Sequence, residues 1–261
     1  VRVAAWQFPG SDDTVANAQA VLRGVAAARE AQARVVLTQE CALTGYPPLE
    51  REAGAALDYA ALRALEAAIG EEAEAAGILV ALGTEIERRG KPVNALRLLG
   101  AGAESLSPYA KRALWGWDAD RYAAGSSLGT FEVDGVTLGA RICYEVRFPE
   151  YFRELFEADA SIALVAFCDV GEGATDARYD LLRAHLMTRA VENAMWVVSA
   201  NSSSARQGAP TAAIDPDGAI VAQAPREGEA LLCVEASTVE PSFGRRGRIQ
   251  HSRGLLRAIR G

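Results

Sequence analysis

The chain has 261 residues, half of them hydrophobic and 23% charged, with a formal net charge of −7. That length supports one domain with a large core. An acidic balance without a basic block leaves no footprint for nucleic acid or an anionic membrane surface, and no apolar run nears the roughly 20 residues of a membrane helix. The four cysteines, at 41, 143, 168 and 233, form no CxxC pair, which argues against a disulfide framework and a zinc site. A reducing, cytoplasmic setting is expected, and the amino terminus reads as a strand, not a signal peptide.

Short apolar runs alternate with longer helical ones. Residues 1–7 read as a strand. Ser11-Asp-Asp13 is a cap for a helix whose Val15, Ala18, Leu22 and Val25 share a face. Residues 33–38 form a buried strand that ends near Glu40, and a helix spans 55–76. Strands are expected over 78–83 and 93–99, with a charged turn over 85–91 between them. Residues 102–110 lead to Lys111. Residues 129–133 and 136–142 make a hairpin across Asp134-Gly135. Pro149 suits the first turn of a helix that runs to Glu157. A strand over 161–167, a helix over 176–193 and strands over 196–200, 209–214, 219–222 and 230–234 complete the body. Arg245, Arg246, Arg248, Arg253, Arg257 and Arg260 form a basic tail, expected at solvent or at a subunit contact. Mixed α and β elements with many apolar strands imply sheets covered by helices.

Three strand ends carry chemistry. Cys143 closes the run Val136-Thr-Leu-Gly-Ala-Arg-Ile-Cys143 and is followed by Tyr-Glu-Val-Arg-Phe-Pro-Glu150, a strand, a sharp turn and a helix start. Glu40 ends a second strand, and Lys111 stands in Pro108-Tyr-Ala-Lys111-Arg. A thiol needs a base or a cation to become a nucleophile, and the three residues supply nucleophile, base and oxyanion stabiliser. The backbone N–H of Tyr144 is the second oxyanion donor expected.

These segments, in this order, resemble the nitrilase (carbon–nitrogen hydrolase) superfamily. The resemblance runs from Val1 to about Val234. It rests on the Cys143 segment, on Gln39-Glu40-Cys-Ala-Leu-Thr-Gly45-Tyr-Pro47-Pro, and on the supporting matches Val93-Asn94-Ala95, Arg189-Ala-Val-Glu192-Asn193, Ala200-Asn201 and Ile214-Asp-Pro216-Asp-Gly218. It implies a four-layer α-β-β-α sandwich, an α/β (α+β) fold formed by residues 1–261 as one domain, with 240–261 as a tail at a subunit interface. It also implies a homodimer or larger homo-oligomer. The activity implied is hydrolysis of small linear amides through a thioester, with no cofactor and no metal. Cys-Tyr-Glu favours an amidase over a nitrilase. An ω-amidase or N-carbamoyl-amine hydrolase would need a group for a distal carboxylate or amine, and Arg147, Asp169 and Glu172 are the candidates.

Relatives place a second glutamate where this chain has Asp118, one methylene shorter. Asp118 is therefore expected to be a weakened positioning group, with Asp118→Glu raising turnover. Relatives also use the acidic residue after the nucleophile to buttress its turn, so Glu145 and Arg147 are expected to act from behind Cys143. Tyr46, Trp115, Trp117, Phe148 and Phe167 are candidates for the pocket wall. Cys41, Cys168 and Cys233 read as core residues.

Gly125-Ser-Ser127-Leu-Gly129 matches GxSxG, but it precedes a strand instead of joining a strand to a helix. A Ser–His–Asp enzyme also needs a placed histidine, and only His185, inside a helix, and His251, in the tail, exist. The non-enzyme alternative, an inactive scaffold, predicts loss of Glu40, Lys111 or Cys143; all three are present.

Overall fold

The computed structural model describes residues 1–237 and 241–260. Two six-stranded sheets face each other. The first contains β1 (Arg2–Gln7), β2 (Val35–Leu37), β3 (Leu79–Ile86), β4 (Val93–Gly100), β5 (Tyr109–Ala110) and β12 (Ala230–Glu235), in the order β12-β1-β2-β3-β4-β5. The second contains β6 (Thr130–Val133), β7 (Val136–Ile142), β8 (Ile162–Ala166), β9 (Trp196–Ala200), β10 (Ala212–Ile214) and β11 (Ile220–Gln223), in the order β11-β10-β9-β8-β7-β6. The centre of each sheet is parallel: β1, β2 and β3 in one, β7, β8 and β9 in the other. Their flanking pairings are antiparallel.

Side-chain alternation sorts these strands into separate cores. Val3, Ala5, Val35, Leu37, Leu79 and Ala81 meet Leu138, Ala140, Ile142, Ile162, Leu164 and Ala166 between the sheets. The intervening residues of the first sheet, among them Ala4, Trp6, Val36, Val80 and Leu82, pack outward in a core with residues of α1 (Thr14–Glu30) and α2 (Tyr59–Ala75). Those of the second sheet pack outward with α4 (Pro149–Glu157) and α5 (Asp176–Asn193). Strands buried on both faces read as continuous apolar runs, which is why the sequence pattern marked them so well. The result is the expected α-β-β-α sandwich.

Several boundaries move. Asp13 caps α1 through the N–H groups of Val15 and Ala16, as expected. Asp58 caps α2 in the same way, so that helix begins at Tyr59, not at residue 55. Strand β3 continues to Ile86, which puts Glu85 inside the sheet and buried instead of in a charged turn. Strand β10 is confined to Ala212–Ile214. Asp134 and Gly135 both take positive φ, 51° and 75°, in the turn of the β6–β7 hairpin.

The basic tail is a helix, α6 (Phe243–Arg260), and not an irregular terminus. Its Ile249 and Leu256, seven residues apart, pack against the outer core of the second sheet. Arg245 and Arg248 pair with Asp217, and Arg253 pairs with Asp159. Glycines at 244, 247 and 254 and a dense row of arginines mask its helical period in the sequence. Glu240 and Gly261, at the two ends of the expected tail segment, lie outside the described residues. Among the described residues no helix is long and apolar enough to cross a membrane.

One glycine positions the loop that carries Glu40. Gly83 of β3 lies so close to that loop that a Cβ would meet the Gln39 carbonyl oxygen at 1.9 Å and the Cys41 nitrogen at 2.8 Å. Its N–H donates to Thr38 Oγ1 and its carbonyl accepts from Leu43 N–H. Gly83→Ala is expected to cost about 1–3 kcal/mol by overpacking, which lowers the melting temperature by about 2–4 °C per kcal/mol in a chain near this size. A thermal melt checks this, and a melting temperature equal to the parent's would contradict it.

Candidate active site

Glu40, Lys111, Cys143 and the Phe167–Asp169 segment all follow strand ends. Glu40 lies three residues past β2, Lys111 directly after β5, Cys143 directly after β7, and Phe167 directly after β8. Carboxyl ends of parallel strands are where open α/β sheets place their ligands. Here the two facing sheets bring their strand ends to one place.

Cys143 opens a short 3-10 turn, Cys143–Arg147, with φ at +45°. A non-glycine residue held in the left-handed region costs about 1–3 kcal/mol and persists only when its surroundings enforce it. Glu145 supplies that enforcement. Its Oε2 accepts the Ile142 N–H at 2.7 Å, and its Oε1 accepts the Arg112 N–H at 2.6 Å and the Tyr109 hydroxyl at 2.8 Å. One buried carboxylate thus ties the end of β7 to the strand that delivers Lys111. The guanidinium of Arg147 stands 6.0 Å from the Tyr144 ring and takes no part in the cavity wall.

Glu40 is completely buried and every contact aligns it. Its N–H donates to the Phe167 carbonyl at 3.1 Å. Its Oε2 accepts the Cys168 N–H at 3.1 Å, and its Oε1 accepts Asn94 Nδ2 at 2.6 Å and Lys111 Nζ at 2.8 Å. The ammonium of Lys111 also donates to Asp118 Oδ2 at 2.6 Å. Asp118 Oδ1 accepts the Tyr46 hydroxyl at 2.7 Å, and that hydroxyl in turn accepts the Trp117 indole N–H at 3.1 Å. Asp118 and Trp117 stand on α3 (Trp117–Arg121), a single short helix.

These groups adjoin a cavity of about 480 Å³. Its wall includes Tyr46, Lys111, Trp115, Trp117, Asp118, Cys143 and Tyr144, together with Cys168, Asp169, Glu172 and Arg178. Trp115 packs on Tyr144 at 5.5 Å between ring centroids. Arg178 grips Asp169 through Nε and Nη2, at 2.8 and 2.7 Å.

The electrostatics follow from burial. Desolvation pushes the Cys143 thiol well up, the charge of Glu40 adds to this, and Lys111 opposes it, so the resting group is a thiol. Desolvation also raises the Glu40 carboxyl, against the pull of Lys111. For Lys111, burial lowers the pKa but the surrounding anionic groups, Glu40 first, outweigh it, and the ammonium stays charged. Among the described residues no group of three or more His, Cys, Asp or Glu side chains is placed to hold a metal ion.

Three expectations change. Phe167 is not a wall residue. Alternation along β8 turns Ile162, Leu164 and Ala166 toward the facing sheet, so Phe167 points with Ala163 and Val165 into the core beneath α4 and α5. What Phe167 contributes near the site is its carbonyl, the acceptor for Glu40. Nor is Asp118 short of reach. The α3 backbone brings it near enough that both oxygens are engaged, one by Lys111 and one by Tyr46. Phe148 lies behind the wall, edge-on to Tyr144 at 5.1 Å. Sequence reasoning gave Asn94 and the Cys168 N–H no role, although Asn94 sits within a quoted motif. Gly125–Gly129 lies in the approach to β6, and neither His185 nor His251 reaches the cavity.

A carboxylate, an ammonium and a thiol converging at the strand ends of a two-sheet sandwich define the class: a hydrolase with a cysteine at its site. The sequence profile of the carbon-nitrogen hydrolase family matches residues 2–240, and the chain belongs to that family, whose members hydrolyse carbon–nitrogen bonds. A hydrolase from the pqqF 5′ region of Pseudomonas protegens is 32% identical over 206 residues, 77% of this chain and 69% of the relative. The 2-oxoglutaramate amidase of Bacillus subtilis is 33% identical over 109 residues, 40% of each chain. Among solved structures, the NitN amidase from Nesterenkonia sp. AN1 aligns with a TM-score of 0.81 over 99% of both chains at 22% identity, a likeness of fold. A cysteine-to-alanine variant of that amidase in complex with butyramide gives 0.82 at 22% identity, over 99% of this chain and 96% of the other.

With both Asp118 oxygens engaged in a buried site, an added methylene has to displace Tyr46 or Lys111. Asp118→Glu is therefore expected to lower hydrolytic turnover, not raise it, by up to ~100-fold, as small misplacements beside reacting groups do. Steady-state rates of the two proteins decide this, and a faster variant would reinstate the shortened-reach reading.

Proposed function

We propose that the protein is an amidase that hydrolyses small linear amides to carboxylic acid and ammonia through a thioester on Cys143. The observation that carries this reading is the buried chain of contacts Glu40–Lys111–Asp118, at 2.8 and 2.6 Å, of which Lys111 and Asp118 line the same cavity as Cys143. The likeness to a fold seen with butyramide supports a small substrate.

In this reading the thiol proton moves to Glu40 as sulfur attacks the amide carbon. Desolvation raises the pKa of both groups: the Glu40 carboxylate is a stronger base than an exposed one, and the thiol keeps its proton until attack. The oxygen that becomes negative is held by the Lys111 ammonium and the Tyr144 N–H. That N–H lies in the first turn of a 3-10 segment, where helical N–H groups lack partners within their own turn. Removal of one such donor typically costs about 3–4 kcal/mol of barrier. Glu40 then gives its proton to the nitrogen, the C–N bond breaks and ammonia leaves. Water, deprotonated by Glu40, attacks the thioester, and the carboxylic acid departs as the thiol is restored. Glu145 holds the turn that carries the sulfur. The chemistry calls for no cofactor.

A second reading, an ω-amidase, has one observation in its favour. Arg178 stands on the cavity wall and presents a cation to a distal carboxylate. Its Nε and Nη2 are occupied by Asp169, however, so only its remaining edge is available. Arg147 lies off the wall and does not serve this reading. An N-carbamoyl-amine substrate would turn its amine toward Asp169 or Glu172. An inactive scaffold is disfavoured because every member of the constellation is present and mutually bonded.

Ammonia release from short aliphatic amides, ω-amides, carbamoyl amines and nitriles separates these readings, with Cys143→Ala beside the parent. Release from simple amides, abolished in Cys143→Ala, is expected; preference for an ω-amide would favour the second reading, and no release from any substrate by folded protein would sink both. Glu40 must be ionised to take the thiol proton. Its raised pKa therefore places the acid limb of kcat/KM above the ordinary glutamate value of about 4.3, with activity lost as pH falls through that limb.

A further inference from the structure

The helix that carries Asp118 is short, and beyond the bonds from Lys111 and Tyr46 to Asp118 and from Lys91 to the Ala119 carbonyl it needs a further anchor. Helix α3 is five residues long, too short to persist on its own propensity. Its Gly116 cap has φ at +55° and supplies no side-chain hydrogen bond. On one side lies the active-site cavity and on the other a second hollow of about 710 Å³, and Trp117 belongs to the walls of both. Packing alone therefore leaves the position of Asp118 loosely set.

A buried polar hub fixes it. Glu85, near the end of β3, is almost fully buried. Arg121, the last residue of α3, grips it with a fork, Nε to Oε2 at 2.9 Å and Nη2 to Oε1 at 3.0 Å. Arg51 donates from Nη2 to Glu85 Oε2 at 2.6 Å and from Nε to the Gly45 carbonyl at 3.0 Å. The residue after Gly45 is Tyr46, whose hydroxyl holds the other oxygen of Asp118. Glu85 also stands directly opposite Asn94 in the β3–β4 register, and Asn94 holds Glu40. Of Glu85, Arg51 and Arg121, only Arg121 lines the second hollow, and none of the three lines the active-site cavity. The Tyr59 hydroxyl, at the rim of the second hollow, donates to Glu85 Oε1.

We propose that Glu85, with Arg51 and Arg121, is a positioning device that locks the two segments carrying Tyr46 and Asp118 and so sets where Asp118 meets Lys111. The catalytic effect rests on the amidase reading; the geometric effect does not. A bidentate guanidinium–carboxylate pair fixes both distance and plane, which a lysine at the same place would not. The hub thus adds a strand-borne anchor to the helix, beside the bonds that Lys111, Tyr46 and Lys91 make to it.

Arg121→Ala tests this, because it removes the fork from a partly exposed position and leaves Glu85 bonded to Arg51 and Tyr59. The melting temperature is expected to stay near the parent's. With the helix released from Glu85 and Asp118 held by Lys111 and Tyr46 alone, kcat for an amide falls roughly ten- to a hundredfold while KM changes little. At the same time the rate of Cys143 alkylation by iodoacetamide, read by peptide mass spectrometry against the other three cysteines, rises severalfold, because an anion leaves the surroundings of the thiol. Arg121→Lys keeps the charge and loses the fork, and recovers only part of kcat; it carries the same comparison if Arg121→Ala does not fold. Parent-like kcat and parent-like alkylation in a folded variant would overturn the proposal. If the parent releases no ammonia from any amide, alkylation alone decides: a response upholds the positioning device and only the amidase reading falls.

Discussion

The site is organised around one buried ammonium. Lys111 lies between Glu40 and Asp118 with almost no contact with water, and three charges in such a place are stable only when each is paired and hydrogen-bonded. The remaining capacity of the carboxylates is taken by Asn94, the Cys168 N–H and the Tyr46 hydroxyl. This closed set keeps Lys111 protonated and keeps Cys143 a thiol at rest. The same low-dielectric setting makes Lys111 a strong partner for any negative oxygen that forms beside the sulfur. Desolvation first, and then the charge of Glu40, keeps the thiol protonated until substrate arrives.

The two-sheet architecture exists at this point to deliver those charges. No one strand carries the set: Glu40 and Lys111 come from the first sheet, Cys143 and the Cys168 N–H from the second. The inter-sheet core of Val, Leu, Ile and Ala residues sets the spacing between them. Backbone irregularity is concentrated where the chain must turn abruptly: Cys143 and Cys41, adjoining Glu40, both take left-handed φ. Glu145 and Gly83 sit behind these turns, one bonding the backbone and the other giving it room.

Much of this was legible before any coordinates. Cys143, Glu40 and Lys111 stood out because each ends an apolar run with a reactive group, and the sandwich followed from strands apolar on both faces. Phe167 was misjudged because a continuous apolar run does not reveal which face a terminal residue takes; only its register with Ile162 does. Asp118 looked deficient because side-chain length is visible in sequence and the position of the α3 backbone is not. Glu85 read as part of a charged turn, since a buried carboxylate and its arginines, at 51 and 121, are far apart in the chain. Helix α6 hid behind its glycines and arginines, whose acidic partners Asp159 and Asp217 are equally remote.

The central claim is that this buried network makes Cys143 the atom that carries the acyl group. Rapid acid quenching of the protein during turnover of a short aliphatic amide, followed by intact and peptide mass spectrometry, tests it most directly. The account predicts an acyl adduct, equal to the amide less ammonia, located on Cys143 and transient in time. Turnover with no adduct on Cys143 at any time under conditions where the thioester should accumulate, or an adduct on another residue, would contradict it.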